Sequence, residues 1–430
     1  MNRSRTVRLL KSLSLWVMIA LIGGLLVGAA AQAWGVTEGA ETFVVVEALG
    51  QLWLNALRMT IIPLVFSLLV TGIASIADAA ATGRLALKAV VVFALMLVGA
   101  TIYGILASEG LHALWPIDPV GGQLLLAGAG GDAVVRESVS GGGLTAFLTS
   151  LAPSNPVRAA AEDAILGIVV FAIVFGFATT RLPDRLRQPL TTFFEAVSET
   201  MVVIVHWVLL AAPFGVFALA LGVGLRAGLG VAGTLAHYVA IVCLSQIGLI
   251  LIIYVVAIVW GRLSLARFAR AVAPAQVVAV STQSSLASLP VMIERARDWL
   301  GVPQTSAGLV LPLAVAVFRI TSPVANLAVC LYVAQLHGVE LGLGVLIAGG
   351  LTAIAVSIAS VGLPGQVSFF AAIGPICLAM GLPLGVLPLL LAVEVIPDIF
   401  RTVGNVTADL AATRIVAGED GAGEDGRATE

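Results

Sequence analysis

The chain has 430 residues, of which 60% are hydrophobic and only 11% charged, with a mean hydropathy of +1.08 and a formal net charge of -2. Soluble globular domains carry about 25% charged residues, so this composition excludes a soluble enzyme and describes a polytopic protein whose partner is the lipid bilayer. The net charge itself identifies no partner, and no nucleic acid is expected.

The first residues, MNRSRTVRLLK, are basic and run into LWVMIALIGGLLVGAAAQAWG, an apolar stretch long enough to span a bilayer. A signal peptide would need a cleavage site followed by a soluble domain, and neither is convincing; a first spanning helix behind a cytoplasmic N-terminus at 1–11 fits better. Further apolar spans are predicted at 43–77, 84–112, 143–180, 189–224 and 231–261, the first covering 12–34. Their connections alternate in charge. Arg84 and Lys88 follow the second span, Arg181, Arg185 and Arg187 the fourth, and Arg262, Arg267 and Arg270 the sixth. The intervening connections hold only Arg136 or Arg226, beside Asp118, Asp132 and Glu137. Over six crossings the positive-inside rule therefore agrees with itself, giving a multi-pass protein of the inner or plasma membrane with cytoplasmic termini. The acidic, glycine-rich tail at 417–430 is expected to be disordered.

Three cysteines, Cys243, Cys330 and Cys377, stand far apart in apolar segments and read as small buried hydrophobes. His112, His206, His237 and His337 show no ligand spacing. The glycine-rich segments around 128–143 lack the lysine and strand–helix context of a phosphate loop, so no cofactor or metal is expected.

Beyond residue 270 the regularity breaks. AVAPAQVVAVSTQSSLASLPVMIERARDWLG carries a serine cluster midway, with Leu289-Pro290 near its centre, and both ends suit the cytoplasm. It is predicted to be a re-entrant hairpin, with two proline-kinked spanning helices as the alternative; lipid-depth backbone leaves the helix only where protein or water receives its polar groups. A second such unit, LIAGGLTAIAVSIASVGLPGQVSFFAAIGPICLAMG, breaks at Leu363-Pro364-Gly365. Pro290 and Pro364 are expected to open the second limb of each hairpin, with Ser288 capping the first. Each hairpin is followed by an apolar helix with a polar interruption, FRITSPVAN at 318–326 and EVIPDIFRTVGNVTAD at 394–409. Hairpin plus broken helix, twice over, suggests an inverted repeat with an anion-receptive site at the bilayer midplane, between half-helix N-termini. At roughly 100° per helical residue, Glu394, Asp398, Arg401, Asn405 and Asp409 share one face of the last helix, flanked by Thr402, while Ile396, Ile399, Phe400, Val403 and Val406 cover the rest.

These motifs resemble those of the dicarboxylate/amino acid:cation symporters, the glutamate/aspartate transporter family, over roughly residues 10 to 416. RMTIIPLVFSLLVTGIASI is similar to that family's second-helix signature, APSNPVRAAAEDAILGIVVFAIVFG to its S-N-P segment and APFGVFALA to its fifth helix. STQSSLASLP and SVGLPG resemble its two hairpin tips, and DIFRTVGNVTAD its last helix. The resemblance implies an all-α fold of eight spanning helices and two re-entrant hairpins, assembled as a homotrimer and working as an elevator. Residues 12–264 would be mainly scaffold and trimerisation helices, some of them contributing to the transport domain, and 265–416 the transport core. It also implies that Arg401 binds the distal carboxylate of a small anionic substrate and Asp398 its ammonium. Thr402, Asn405, Ser284, Ser285 and Gly362 would complete the site. An aspartate at 398 favours an acidic amino acid over a plain dicarboxylate.

Two departures bear on coupling. Where the family has N-M-D-G-T, this chain reads Phe318, Arg319, Ile320, Thr321 and Ser322, and a hydroxyl pair in the third helix aligns with Met96 and Leu97. A hard cation such as sodium needs hard oxygens, and two sets of them have gone together. Asp409, a sodium ligand in relatives, remains. Arg319 is therefore expected to act as a tethered cation paired with Asp409 or Glu394, with uptake proton-coupled through Glu394 or not coupled at all. A C4-dicarboxylate carrier, or a facilitative anion pathway, is the alternative; an intramembrane enzyme using Glu394 and Asp398 lacks a nucleophile or metal cluster.

Overall fold

The computed structural model describes residues 13–35, 41–81, 83–128, 151–162, 164–228, 230–359 and 365–418, and these are helical throughout with no strand among them. Among the described residues, six stretches are long and apolar enough to cross a membrane, two of them made of paired helices joined across a short turn. Large apolar side chains such as Trp16, Leu52, Leu106, Trp207 and Val259 face outward, the reverse of a soluble surface and the pattern of a lipid-facing wall.

The first half is built from α1 (Leu13–Ala33), α2 (Glu41–Arg58), α3 (Ile61–Ala81), α4 (Arg84–Leu114) and the short α5 (Pro119–Gly128), then α6 (Pro156–Ala161), α7 (Ile165–Thr179), α8 (Asp184–Leu210), α9 (Ala212–Ala227) and α10 (Val231–Val259). Two expectations about the spans are corrected. The second, 43–77, is one membrane-capable stretch, Phe43–Asp78, with a turn at Met59-Thr60 where Thr60 donates its hydroxyl to the Leu57 carbonyl at 2.8 Å. The fifth, 189–224, breaks at Ala211, where Pro213, in the first turn of α9, has no N–H to carry the ladder on. The described part of the fourth, 143–180, is two shorter helices, α6 and α7, and its opening residues lie outside the described ones. Small residues fit α1 against α9: a Cβ added at Gly24 would stand 2.6 Å from the Phe217 carbonyl oxygen and 2.8 Å from Ala220 Cβ. Close backbone approach through glycine is how helices associate in lipid, where the hydrophobic effect is absent.

The second half repeats one pattern. Helices α11 (Leu265–Thr282) and α12 (Ser285–Leu300) are joined by two residues and pack on one another, so the chain folds back as a hairpin. Gln283 makes the reversal in a left-handed conformation (φ 50°). Then α13 (Gln304–Val317) and α14 (Thr321–Leu336) are interrupted at Phe318-Arg319-Ile320. Helices α15 (Leu343–Ala359) and α16 (Gly365–Ala379) again pack as a pair, followed by α17 (Leu387–Val393), a break at Glu394 and α18 (Val395–Ala417). The tip of this second pair, including Gly362 and Pro364, lies outside the described residues. The first tip differs from expectation. Ser284, not Ser288, caps α12, its hydroxyl accepting from Ala287 N at 3.2 Å, and Pro290 sits inside the helix. The reason is local: Ser284 has the extended backbone that a cap requires (φ -138°, ψ 115°), whereas Ser288 is already helical and donates back to the Ser284 carbonyl at 3.1 Å.

Helix α18 is the centre of this half. It packs against α10, α11, α12, α13, α14 and α4, which bury most of its polar face and leave Asp398 partly exposed.

Candidate functional site

The site forms where the two broken helices meet. Breaking a helix frees backbone N–H and C=O groups that must find partners inside a membrane. At the first break, Asn405 of α18 supplies one: its side-chain oxygen accepts from the Thr321 backbone N–H at 3.1 Å and from the Thr321 hydroxyl at 2.9 Å. Asn405 thereby caps α14 across the helix interface. The Arg319 carbonyl accepts from the Ser357 hydroxyl of α15 at 3.0 Å, tying the same break to the second hairpin.

The predicted charged stripe is real and faces inward. Glu394 stands at the N-terminal boundary of α18, two turns from Arg401, and an Arg401 Nη2–Glu394 Oε1 ion pair forms at 2.7 Å. Tyr238 of α10 donates to the other oxygen, Glu394 Oε2, at 2.8 Å. Asp398 is partly exposed, 3.9 Å from Arg401 Nε, outside hydrogen-bond reach. Arg401 Nε is buried without a hydrogen-bond partner, so an N–H of a guanidinium in the protein interior is left open. Thr402 spends its hydroxyl on the Asp398 carbonyl at 3.0 Å. Ser284 and Ser285, at the first hairpin tip, are half-buried.

Two turns beyond Arg401, Asp409 is 0% exposed, and among the described residues neither of its carboxylate oxygens has a hydrogen-bond partner. Arg319 is half-buried at the first break. Among the described residues it makes no ion pair within 4 Å, so the expected direct pairing with Asp409 or Glu394 is corrected. Glu394 is already held by Arg401 on its own helix and by Tyr238.

Polar and apolar side chains share the neighbourhood of the break: Asn326 donates to Ser322 Oγ at 3.1 Å, and its own Oδ1 is buried with no hydrogen-bond partner among the described residues. Phe318 stacks on Phe93 with ring centroids 4.6 Å apart and planes 9° from parallel, and Met96 and Leu97 are buried in the same cluster. Among the described residues no group of three or more metal-ligating side chains occurs. Sequence reasoning missed Tyr238, Thr321 as the partner of Asn405, and Gln276, which donates to the Thr407 hydroxyl at 2.9 Å. Their signal was faint: each is a single polar residue on a helix whose partner is more than 80 residues away, Thr321 lying 84 residues from Asn405.

The sequence matches the Sodium:dicarboxylate symporter family over residues 13–419. It is 29% identical over 408 residues to the proton/glutamate-aspartate symporter of Escherichia coli (strain K12), covering 94% of this chain and 92% of that protein. It is 26% identical over 412 residues to the proton/sodium-glutamate symport protein of Bacillus subtilis (strain 168), covering 94% and 92%. A C4-dicarboxylate transport protein of Anaeromyxobacter sp. (strain K) is 30% identical over 315 residues, 71% of this chain and 67% of that one. Interrupted helices closing round a buried arginine, together with a match over nearly the whole chain, place this membrane protein in the sodium:dicarboxylate symporter family.

Proposed function

We propose that the chain is a secondary active transporter of an acidic amino acid such as aspartate or glutamate, coupled to protons and independent of sodium. The observation that carries this reading is the half-satisfied Arg401: Nη2 is held by Glu394 at 2.7 Å, while the buried Nε makes no hydrogen bond among the described residues. A planar guanidinium with an open edge is suited to a carboxylate, which it can hold by two parallel bonds. Asp398, partly exposed nearby, is placed to accept the substrate's ammonium. The Asn405 amide nitrogen, the Thr402 hydroxyl and the hairpin residues Ser284 and Ser285 would complete the contacts.

Coupling follows from competition for Arg401. In the empty site Glu394 occupies the guanidinium that the substrate carboxylate needs. A proton on Glu394 weakens that pair and releases Arg401, so proton and substrate load together. Charge balance favours the same order: three carboxylates, Glu394, Asp398 and Asp409, face two guanidiniums, Arg319 and Arg401, and one negative charge is left over. Arg319 stands for the alkali cation, compensating Asp409 through space. The Phe318–Phe93 stack and buried Met96 and Leu97 supply no oxygens for sodium. The scaffold of 12–264 and the core of 265–416 would move against one another as an elevator, in a homotrimer with both termini cytoplasmic.

The test is uptake of radiolabelled aspartate into liposomes. A pH gradient, inside alkaline, in choline buffer should drive accumulation, and unlabelled succinate should compete poorly. Accumulation that requires sodium, or equal transport of succinate, would overturn the reading; the relative named a C4-dicarboxylate transport protein makes succinate the pointed comparison.

A further inference from the structure

Far from the substrate site, three helix ends meet around a cleft of about 480 Å³. Lys88 and Val92 come from the start of α4, Val259 from the end of α10, Trp260, Gly261 and Arg262 from the turn that follows, and Arg414, Ile415 and Gly418 from the end of α18. Three cationic side chains line it, with no carboxylate among the described lining residues. The alternation of charge along the chain assigns all three helix ends to the cytoplasmic side, and the fold gathers them at one place.

Two of these features have no explanation in helix stability. Arg414 sits where a cation belongs, at a helix C-terminus, bonding the Gly418 carbonyl at 2.7 Å. Lys88 does not: it lies near the N-terminus of α4, whose dipole already presents positive charge, and no acidic residue occupies that first turn. Arg262 has φ 52°, a left-handed conformation that a side-chain-bearing residue holds only at a cost in free energy. Glycine at 262 would relieve that strain, yet the chain keeps a guanidinium there, lining the cleft. Beside the charges, Val92, Val259 and Ile415 form an apolar wall, and Trp260 is 47% exposed at the position of an interfacial anchor. Cations at headgroup level above an apolar wall are complementary to one molecule with both properties.

We propose that this cleft is a binding site for the phosphate group of an anionic glycerophospholipid, with an acyl chain along the Val92–Val259 wall. The three cations come from the ends of helices that pack on one another, so an occupied site clamps α4, α10 and α18 together at the cytoplasmic end. The inference rests on the chain spanning a membrane and not on its substrate or coupling ion, and its test reads lipid binding alone.

The experiment is thermal unfolding of the purified full-length protein in detergent, titrated separately with phosphatidylglycerol, phosphatidylcholine and inorganic phosphate, with native mass spectrometry to count retained lipid. Phosphatidylglycerol should raise the melting temperature saturably, and phosphatidylcholine should not. The combined variant Lys88→Gln, Arg262→Gln, Arg414→Gln should weaken the lipid response about a hundredfold, roughly fivefold per cation removed. Arg262→Gly should melt higher than the parent without lipid, because the strain is gone, while responding less to phosphatidylglycerol. A chain ending at Gly418 should respond as the full chain does. The proposal is overturned if phosphatidylcholine works equally well, if inorganic phosphate reproduces the whole effect, or if the glutamine variant titrates like the parent. It is also overturned if removing the acidic tail is what first reveals the lipid response, for then the tail is the occupant.

Discussion

Replacing Tyr238 with phenylalanine isolates the proton-binding part of the mechanism. The side chain is 0% exposed and its hydroxyl donates to Glu394 Oε2 at 2.8 Å. Phenylalanine keeps the ring and its edge-to-face contact with Tyr332, whose centroid lies 5.2 Å away, so the substitution removes one donor and little packing. A hydrogen bond to a charged acceptor contributes about 1.5–3 kcal/mol. That bond favours the ionised carboxylate over the protonated one, so its loss favours the proton. At about 1.4 kcal/mol per pH unit, the pH profile of uptake should move by roughly one to two units in the alkaline direction. The assay is the initial rate of aspartate uptake into liposomes against external pH, in choline, for the parent, Tyr238→Phe, Glu394→Gln and the double variant. Glu394→Gln should flatten the profile, and adding Tyr238→Phe to it should change nothing further. An unmoved or acid-shifted profile in Tyr238→Phe would refute the placement of the coupling proton on Glu394.

Other outcomes follow from the same site. Asp398→Ala removes the acceptor for an ammonium and leaves Arg401 in place, so aspartate uptake should fall about tenfold or more while succinate uptake survives, the loss being that of a charged hydrogen bond; parallel loss of both substrates would contradict it. Arg319→Met leaves Asp409 without its compensating cation and should destabilise the protein by about 1–3 kcal/mol, as an unpaired buried group does. Adding Asp409→Asn should restore at least half, and denaturation in detergent reads both; an Arg319→Met protein as stable as the parent would contradict the balancing role. Gly24→Val drives a branched side chain into the α9 backbone, where even a Cβ stands 2.6 Å from the Phe217 carbonyl oxygen. Overpacking of this kind costs about 1–3 kcal/mol, and size-exclusion chromatography of the detergent-solubilised variant should show loss of monodisperse protein.

Much of the fold was written in the order of apolar and charged residues. The first, second, third and sixth spans, the packed helix pairs at 265–300 and 343–379 and both interrupted helices stand where hydropathy and polar breaks put them, because a bilayer allows a backbone so few alternatives. Boundaries set by hydrogen bonding were not legible. Ser284 rather than Ser288 caps α12 because one φ/ψ pair is extended and the other helical, and both serines look alike in a string of letters. The Glu394–Arg401 pair could be found from periodicity, since both residues lie on one helix. Tyr238, 156 residues from Glu394, could not. Nor could the position of Arg319, which stands at the predicted break yet makes no contact ion pair: helix phase fixes direction along one element, and only packing fixes distance between two.

The account depends on a guanidinium replacing a mobile alkali ion, and affinity for substrate in the two media tests this most directly. Isothermal titration of the purified protein with aspartate, in sodium chloride and then in choline chloride at one pH, should give dissociation constants that agree within about twofold, or roughly 0.4 kcal/mol. Aspartate binding that appears only in sodium, or tightens with sodium concentration, would show an alkali ion at the site and contradict the role assigned to Arg319.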